Sequence, residues 1–431
     1  MRILIIADEV WNDEMFGNNV LSNWFSGFNA EFANIYCSPG QPLNKCCQKY
    51  FQLNETMMVR SLFSSLKAGN VFDLTYPQMT NKELRFGDDS NKHIYKFMKS
   101  ISGEFVRLIR DIIWLSGKYD KRALKSFVQD FKPDIVFCPR LLTAKLIRLE
   151  NYVSSVTTAP FVAFTGDDEE SLNQRSYNPL FWLRRIYIHR KFKKHVKLYS
   201  YYFMHSDIQA KKYNLKYNLS TGRLLKSGKS KDIVEKEINT PIKLIYAGRL
   251  YCNRWKILVQ IAKALREINS DNTKMILEIY TQDKVTKRQI RELNDGKSVF
   301  LKDPVRPDEL IDIYQRADIV LHVESMDSKN KLITKYSFST KIIDLLGSSC
   351  AVMAIAWEKQ TGYVYLKQND AAFCISNIKD IKTELERIID NPELIHVYAQ
   401  KAVRCVKQNH QKEQIQSQLM SVFEKIINNK N

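Results

Sequence analysis

Continuous apolar runs alternate with amphipathic stretches from the first residues of this chain. The run Ile3–Ala7 is apolar throughout and rich in β-branched residues, which predicts a strand buried on both faces. A loop containing Gly17 follows, then a helical stretch from Asn18 to about Phe28, and Phe32–Cys37 reads as a second strand. Residues 70–95 look irregular. Ile94–Ser116 and Lys121–Phe131 carry apolar residues at helical spacing, and Pro133–Cys138 is again a buried strand. Leu141–Tyr152 is predicted helical, Phe161–Thr165 a strand, Pro179–Lys194 a basic amphipathic helix and Tyr199–Met204 a strand. Ser206 or Asp207 is placed to cap the helix after it.

Residues 225–240 are polar and charged around Gly228 and read as a linker. The alternation then restarts. Strands are expected at Ile242–Ala247, Met275–Thr281, Val299–Lys302, Ile319–Val323 and Ala351–Ala356. Helices are expected at Trp255–Ile268, Val285–Leu293, Pro307–Arg316 and Ser339–Leu346, with three more at Ile378–Ile389, Pro392–Val406 and His410–Asn428. Two stretches of alternating strand and helix predict an α/β protein of two doubly wound, Rossmann-like domains. The expected domains are residues 1–225 and 226–409, with a last helix over about 410–431 packing back on the first. The length of 431 residues agrees, because single cores rarely grow beyond roughly 250–300 residues.

Charge narrows the partners. Lys and Arg number 66 against 47 Asp and Glu, a net charge of +19. Such a balance favours nucleic acid, anionic lipid headgroups or phosphorylated small molecules. No nucleic-acid-binding module is present and the positive charge is spread along the chain, so nucleic acid is not an expected partner. The eight cysteines show no zinc-ligand spacing, and several lie in apolar runs, as free thiols do in a reducing cytosol. The short run after Arg2 is not a leader peptide, and no stretch has the ~20 apolar residues of a membrane span. The expected location is cytoplasmic, with at most peripheral contact at the inner membrane face.

In open α/β sheets ligands bind beyond the carboxyl ends of the strands, so the loops there hold the candidate chemistry. Gly248-Arg249-Leu250 through Arg254 joins a strand to a helix, and its two guanidinium groups suit a diphosphate. Phe338–Gly347 contains Ser339 as a potential N-cap, then Thr340, with Lys341 in the first helical turn, where a cation opposes the helix dipole unless an anion is bound. Asp344 lies on the same face as Lys341, placed to bind ribose hydroxyls or simply to pair with it. Glu324 ends a strand, and Gly166–Glu170 forms an acidic strand end containing Asp168. Gly17 allows close backbone approach to a ligand. The dinucleotide and P-loop glycine patterns are both absent.

These segments occur in the order found in the GT-B glycosyltransferases, and residues 240–410 resemble the retaining group known as family 4 or group 1. Gly248-Arg249-Leu250 with Arg254 is similar to that group's G-R-L and following basic residue. Pro307–Ile319 resembles its helix before an Ala-Asp strand, Glu324-Ser325 falls at its Pro-Ser, and Phe338–Gly347 resembles its donor-binding helix. The resemblance implies Arg249, Arg254 and Lys341 on the donor diphosphate, Gly17, Gly248, Glu324, Ser339 and Thr340 lining the donor site, and Asp344 on the ribose. Asp168 is the candidate acceptor-orienting residue. The group's paired acids depart here: Tyr336 stands where the first would be, with Glu324 or Asp327 as stand-ins. The implied activity is transfer of a sugar from a nucleotide diphosphate to a saccharide or polyprenyl-diphosphate-linked acceptor in cell-surface polysaccharide synthesis, in a cleft between the domains. No metal or other cofactor is expected. The basic helix 179–197, with Phe181, Trp182 and Tyr187, is a candidate contact with anionic lipid. A non-catalytic nucleotide-sugar-binding homologue and a nucleotide-sugar epimerase are the alternatives.

Overall fold

The structure, a computed structural model, describes residues 1–14, 19–74, 103–139, 143–168, 170–229 and 237–429. The expectations for Gly17, residues 94–102 and Glu169, and the middle of the linker, lie outside these residues. The chain forms two units, Met1–Leu225 with Glu413–Asn431, and Lys226–Lys412.

In the first unit the apolar runs become β1 (Arg2–Ala7), β2 (Glu31–Tyr36), β3 (Lys49–Gln52), β4 (Asn70–Asp73), β5 (Ile135–Pro139), β6 (Phe161–Thr165), β7 (Tyr199–Met204) and β8 (Thr221–Arg223). They form one sheet in the order β4-β3-β2-β1-β5-β6-β7-β8, parallel except for the edge pair β3–β4. Alternate side chains feed two cores. One holds Phe51, Trp114, Phe127 and Tyr202; the other holds Trp24, Phe25, Phe137 and Phe423. Phe423 comes from the helix Lys412–Asn428, whose Gln416 also donates to the carbonyls of Trp24 and Ser26.

The second unit contains β9 (Ile242–Ala247), β10 (Met275–Tyr280), β11 (Val299–Lys302), β12 (Ile319–Val323), β13 (Ala351–Ile355) and β14 (Phe373–Ile375). Their order is β11-β10-β9-β12-β13-β14, with every pairing parallel. β12 and β13 are buried along their whole length, which is why both read as continuous apolar runs. Sequence reasoning missed β3, β4, β8 and β14, each of three or four residues. It also missed the helices Glu55–Phe63 and Thr361–Gln368. The first is capped by Asn54, whose carboxamide oxygen accepts from Met57 N, and the second by Gln360, which accepts from Tyr363 N.

Candidate functional site

In the second sheet β9 and β12 are neighbours, while the connections leaving them run to opposite sides. This reversal of strand order opens a crevice beyond the strand ends, the usual ligand position in such sheets. The loop after β9 is held in a strained form: Cys252 and Asn253 both adopt left-handed backbone, with φ of 54° and 61°. The Asn253 side chain donates to Asp327 at 3.0 Å, and Leu250 N donates to Asp283 at 2.6 Å. Gly248 sits where a Cβ would lie 2.9 Å from Tyr246 Oη, whose hydroxyl donates to Arg249 O.

Arg254 opens the next helix and donates twice to Glu324 at the end of β12, at 2.9 and 2.5 Å. Its guanidinium also stacks 4.5 Å from the Tyr251 ring centroid. Glu324 is buried, with 2% of its side chain exposed. Burial alone would weaken the guanidinium's hold on its proton, but the Glu324 carboxylate raises its pKa. Lys341 projects its amine toward Gly248 and Ala247 O, 3.5 Å from the latter. Its pKa is lowered, first by burial and then by the Arg254 charge. Arg249 remains two-thirds exposed and pairs with Asp283 at 3.2 Å. A lysine whose protonation is opposed by the neighbouring Arg254 charge, with a third cation at the rim, forms a place that an anion relieves.

The donor-helix expectations need two corrections. The helix spans Lys341–Leu346, and the flanking residue is Thr340, itself helical and without a side-chain cap; Ser339 is not the cap. Asp344 forms its salt bridge with Lys226 rather than Lys341, with Lys226 Nζ 3.0 and 3.4 Å from its two oxygens. Tyr336 is buried at the position of the absent acid. Neither stand-in is at liberty. Glu324 holds Arg254, and Asp327 accepts from Ser325 Oγ, Asn253 Nδ2 and Asn330 Nδ2 as well as backbone N–H groups. Burial opposes ionisation of Asp327, yet these bonds hold its pKa far below the usual range.

His322, on β12, is buried with Nε2 lacking a hydrogen-bond partner, and a Cβ on Gly362 would lie 3.2 Å from that nitrogen. Burial pushes its pKa down to about 3, with help from Arg254 and Lys341. Asp283 and Lys226 were not named from sequence, and nothing in the spacing points to them: they lie 34 residues from Arg249 and 118 from Asp344.

In the first unit the Asp168 carboxyl is buried, with Oδ1 unpartnered, while its backbone oxygen accepts from Arg185 at 2.8 Å. Burial raises its pKa above the ordinary carboxylate value. Glu170, by contrast, is tied to Lys216 and Tyr217, both at 2.7 Å, and to His189. At the reversal between β1 and β5, Lys145 pairs with Asp8 and lies 4.9 Å over the Trp114 ring. Among the described residues no cluster of three or more His, Cys, Asp or Glu is arranged to hold a metal ion, and no helix is long and apolar enough to cross a membrane.

Comparison with solved structures places this architecture in the GT-B class of two Rossmann-like domains. A sucrose-phosphate synthase from Thermosynechococcus elongatus superposes with a TM-score of 0.61 at 10% identity, over 99% of this chain and 98% of its own. An α,α-trehalose-phosphate synthase from Burkholderia vietnamiensis gives 0.59 at 8% identity, over 99% and 100%. In sequence, residues 259–421 match the model of the glycosyl transferase-like family. An uncharacterized glycosyltransferase of Methanocaldococcus jannaschii is 25% identical over 206 residues, which is 47% of this chain and 49% of that protein. The chain thus spans about half the length of this curated relative.

Proposed function

We propose that the protein is a nucleotide-sugar-dependent glycosyltransferase whose second unit binds the donor and whose first unit holds the acceptor. One observation carries this reading: Arg254, fixed by Glu324 and Tyr251, and the depressed amine of Lys341 meet at the reversal of the second sheet. Arg249 adds an exposed charge at the rim. Three cations there match a diphosphate leaving group, which gains charge as the sugar–oxygen bond breaks. Solved relatives of the same fold include a UDP-forming trehalose-phosphate synthase and an E. coli protein bound with UDP-2-fluoro glucose.

The reaction in this reading breaks the bond between the anomeric carbon and the diphosphate oxygen and forms one to an acceptor oxygen. The acceptor proton passes to the departing phosphate, with retention of configuration. Side-chain cations balance the leaving-group charge, so the chemistry calls for no metal. Asp168, with an unpartnered buried oxygen, is the acceptor-orienting candidate. The acceptor is a saccharide or a polyprenyl-diphosphate-linked saccharide of cell-surface polysaccharide synthesis, reached at the inner membrane face. Leu183, Ile186 and Tyr187 are exposed on the basic helix Pro179–His195 and serve as the lipid contact; Phe181 and Trp182 are only half exposed. Flotation with anionic liposomes at low salt tests that contact, and a protein left at the bottom of the gradient removes it.

The test of the activity is a panel of nucleotide sugars, scored by thermal shift and by diphosphate release, on wild type, Arg249→Ala and Lys341→Ala. Stabilisation by one donor, reduced in Arg249→Ala and lost in Lys341→Ala, supports the site; a panel without any shift ends the proposal. A second reading rests on Tyr336 and on the engaged Glu324 and Asp327: a protein that binds the donor without turning it over. Stabilisation without release in the presence of acceptors would favour it.

A further inference from the structure

Beside the crevice at β9/β12, the loops after β12 and β13 carry an aromatic ring with cations on it. Trp357 follows β13, and Lys331 and Lys335 lie in the segment after β12. Lys331 Nζ lies 5.1 Å from the centroid of the Trp357 ring and Lys359 Nζ 6.0 Å, while Lys335 Nζ lies 4.9 Å over the Tyr336 ring. The two segments are stitched together. Thr361 N and Oγ1 both donate to Lys335 O at 2.9 Å, and Gln360 Nε2 donates to Ser337 O at 2.7 Å. They also adjoin the phosphate cations. Glu324, which holds Arg254, donates its N–H to Ile355 O at 3.0 Å, and Trp357 follows Ile355 within about 7 Å of chain. The helix Thr361–Gln368 lies against the residue after Lys341: a Cβ on Gly362 would be 2.5 Å from Ile342 Cδ1.

We propose that Trp357, Lys331, Lys359 and Lys335 form the donor-sugar subsite and select a sugar bearing a carboxylate, a hexuronic acid, with its apolar face on the indole and its carboxylate on the ammonium groups. The inference rests on the donor-site reading above. The neighbouring cations have carboxylate partners, Arg254 in Glu324 and Arg249 in Asp283. Among the described residues, Lys331, Lys335 and Lys359 have no carboxylate within salt-bridge distance. Lys331 and Lys335 are also half-buried. Two ammonium groups on one indole repel each other and lose part of their hydration, costs that an anion between them offsets. The inventory of groups favours an acid over a neutral sugar. Hydroxyl groups need acceptors as well as donors, and an ammonium only donates. The acids of these loops are spent or turned outward: Glu324 holds Arg254, Asp327 accepts from Ser325, Asn253 and Asn330, and Glu358 is exposed. A carboxylate only accepts, and so matches a set of charged donors.

The experiment is isothermal titration of matched nucleotide sugars into the full chain: UDP-glucose with UDP-glucuronic acid, UDP-galactose with UDP-galacturonic acid, and GDP-mannose with GDP-mannuronic acid, beside UDP and GDP alone. In one pair the acid should bind about tenfold or more tighter than its neutral partner, as a charge-assisted bond provides. Raising the salt concentration should shrink that preference. Lys331→Met combined with Lys359→Met should abolish it and Lys331→Arg should keep it, while affinity for the free nucleotide changes little. Trp357→Leu should weaken both members of the pair alike, because the ring meets the face they share. Neutral sugars that bind as tightly as their acids in every pair, or a preference that survives the loss of both lysines, overturn the inference, and binding of UDP or GDP then leaves the donor site standing. Wild type that binds neither nucleotide nor any nucleotide sugar overturns both readings.

Discussion

Both sheets reverse strand order beside their first strand, at β1/β5 in one unit and β9/β12 in the other, yet the two crevices carry opposite charge. After β1 the chain presents Asp8, Glu9, Asp13 and Glu14. Lys145 is spent on Asp8 and on the Trp114 ring, with 9% of its side chain exposed. Burial raises the pKa of both Glu9 and Asp13, with the Asp8 charge adding to the effect at Glu9. After β9 the same position in the topology presents Arg249 and Arg254, joined by Lys341. The crevice follows from strand order, and its chemistry from the few side chains placed at its lips. An acidic rim suits hydroxyl groups and a basic one suits phosphates, which is the contrast the proposed acceptor and donor sides would need.

The sharpest way to break this contrast is to remove one fixed cation from each crevice. Arg254→Met should reduce sugar transfer roughly a hundredfold or more, because charge stabilisation on the leaving group is lost. It should also cost about 3–5 kcal/mol of stability by stranding buried Glu324, measurable by urea denaturation. Lys145→Met should cost roughly 1–3 kcal/mol through the unpaired Asp8, while nucleotide affinity, read by titration, stays unchanged. Equal loss of nucleotide binding in both variants would refute the division of labour.

Next in size is acid sensitivity, to which each unit contributes a buried histidine whose pKa is lowered. Burial pushes His322 down to about 3 and His205 down to about 4, from an ordinary 6.5. The unfolded chain takes up these protons below pH 6.5 while the native state stays neutral, so the contribution is complete above 6.5 and is lost as pH falls toward the folded values. At pH 5 each accounts for ~2 kcal/mol. His322→Leu should therefore flatten the fall in melting temperature between pH 7 and 5 by about half of the two-histidine effect. An unaltered pH profile would show that His322 is not neutral in the fold. Gly347→Ala is expected to cost about 2 kcal/mol by forcing the Lys229 carbonyl aside. Arg249→Ala, at an exposed side chain, should lower donor affinity about tenfold or less and leave the melting temperature where it was.

The long strands and the helices between them were legible because their residues obey one rule throughout, apolar in runs or at helical spacing. β3 and β14 escaped because three or four residues cannot display a period. The candidate site was legible where its residues follow a strand directly, as Arg249, Arg254 and Glu324 do. It was not legible where a role comes from pairing across the sheet or over a helix. Lys341 and Asp344 share a helix face, yet Asp344 turns to Lys226, and Arg249 shares Asp283 with Leu250. Ser339 was misjudged because good cap chemistry does not force a cap when Thr340 already continues the helical backbone.

The helix Lys412–Asn428 gives the molecule an unusual order of assembly. Its Phe423, fully buried, fills the core beside Phe28 and Phe137 of the first unit. During synthesis β1–β8 emerge well before that helix, and the whole of the second unit is made in between. The half that leaves the ribosome first must wait with an unfilled groove, while the later half can close on its own sequence. Removing the chain from Lys412 onward would therefore be felt far away in sequence, as a folding defect of the first unit.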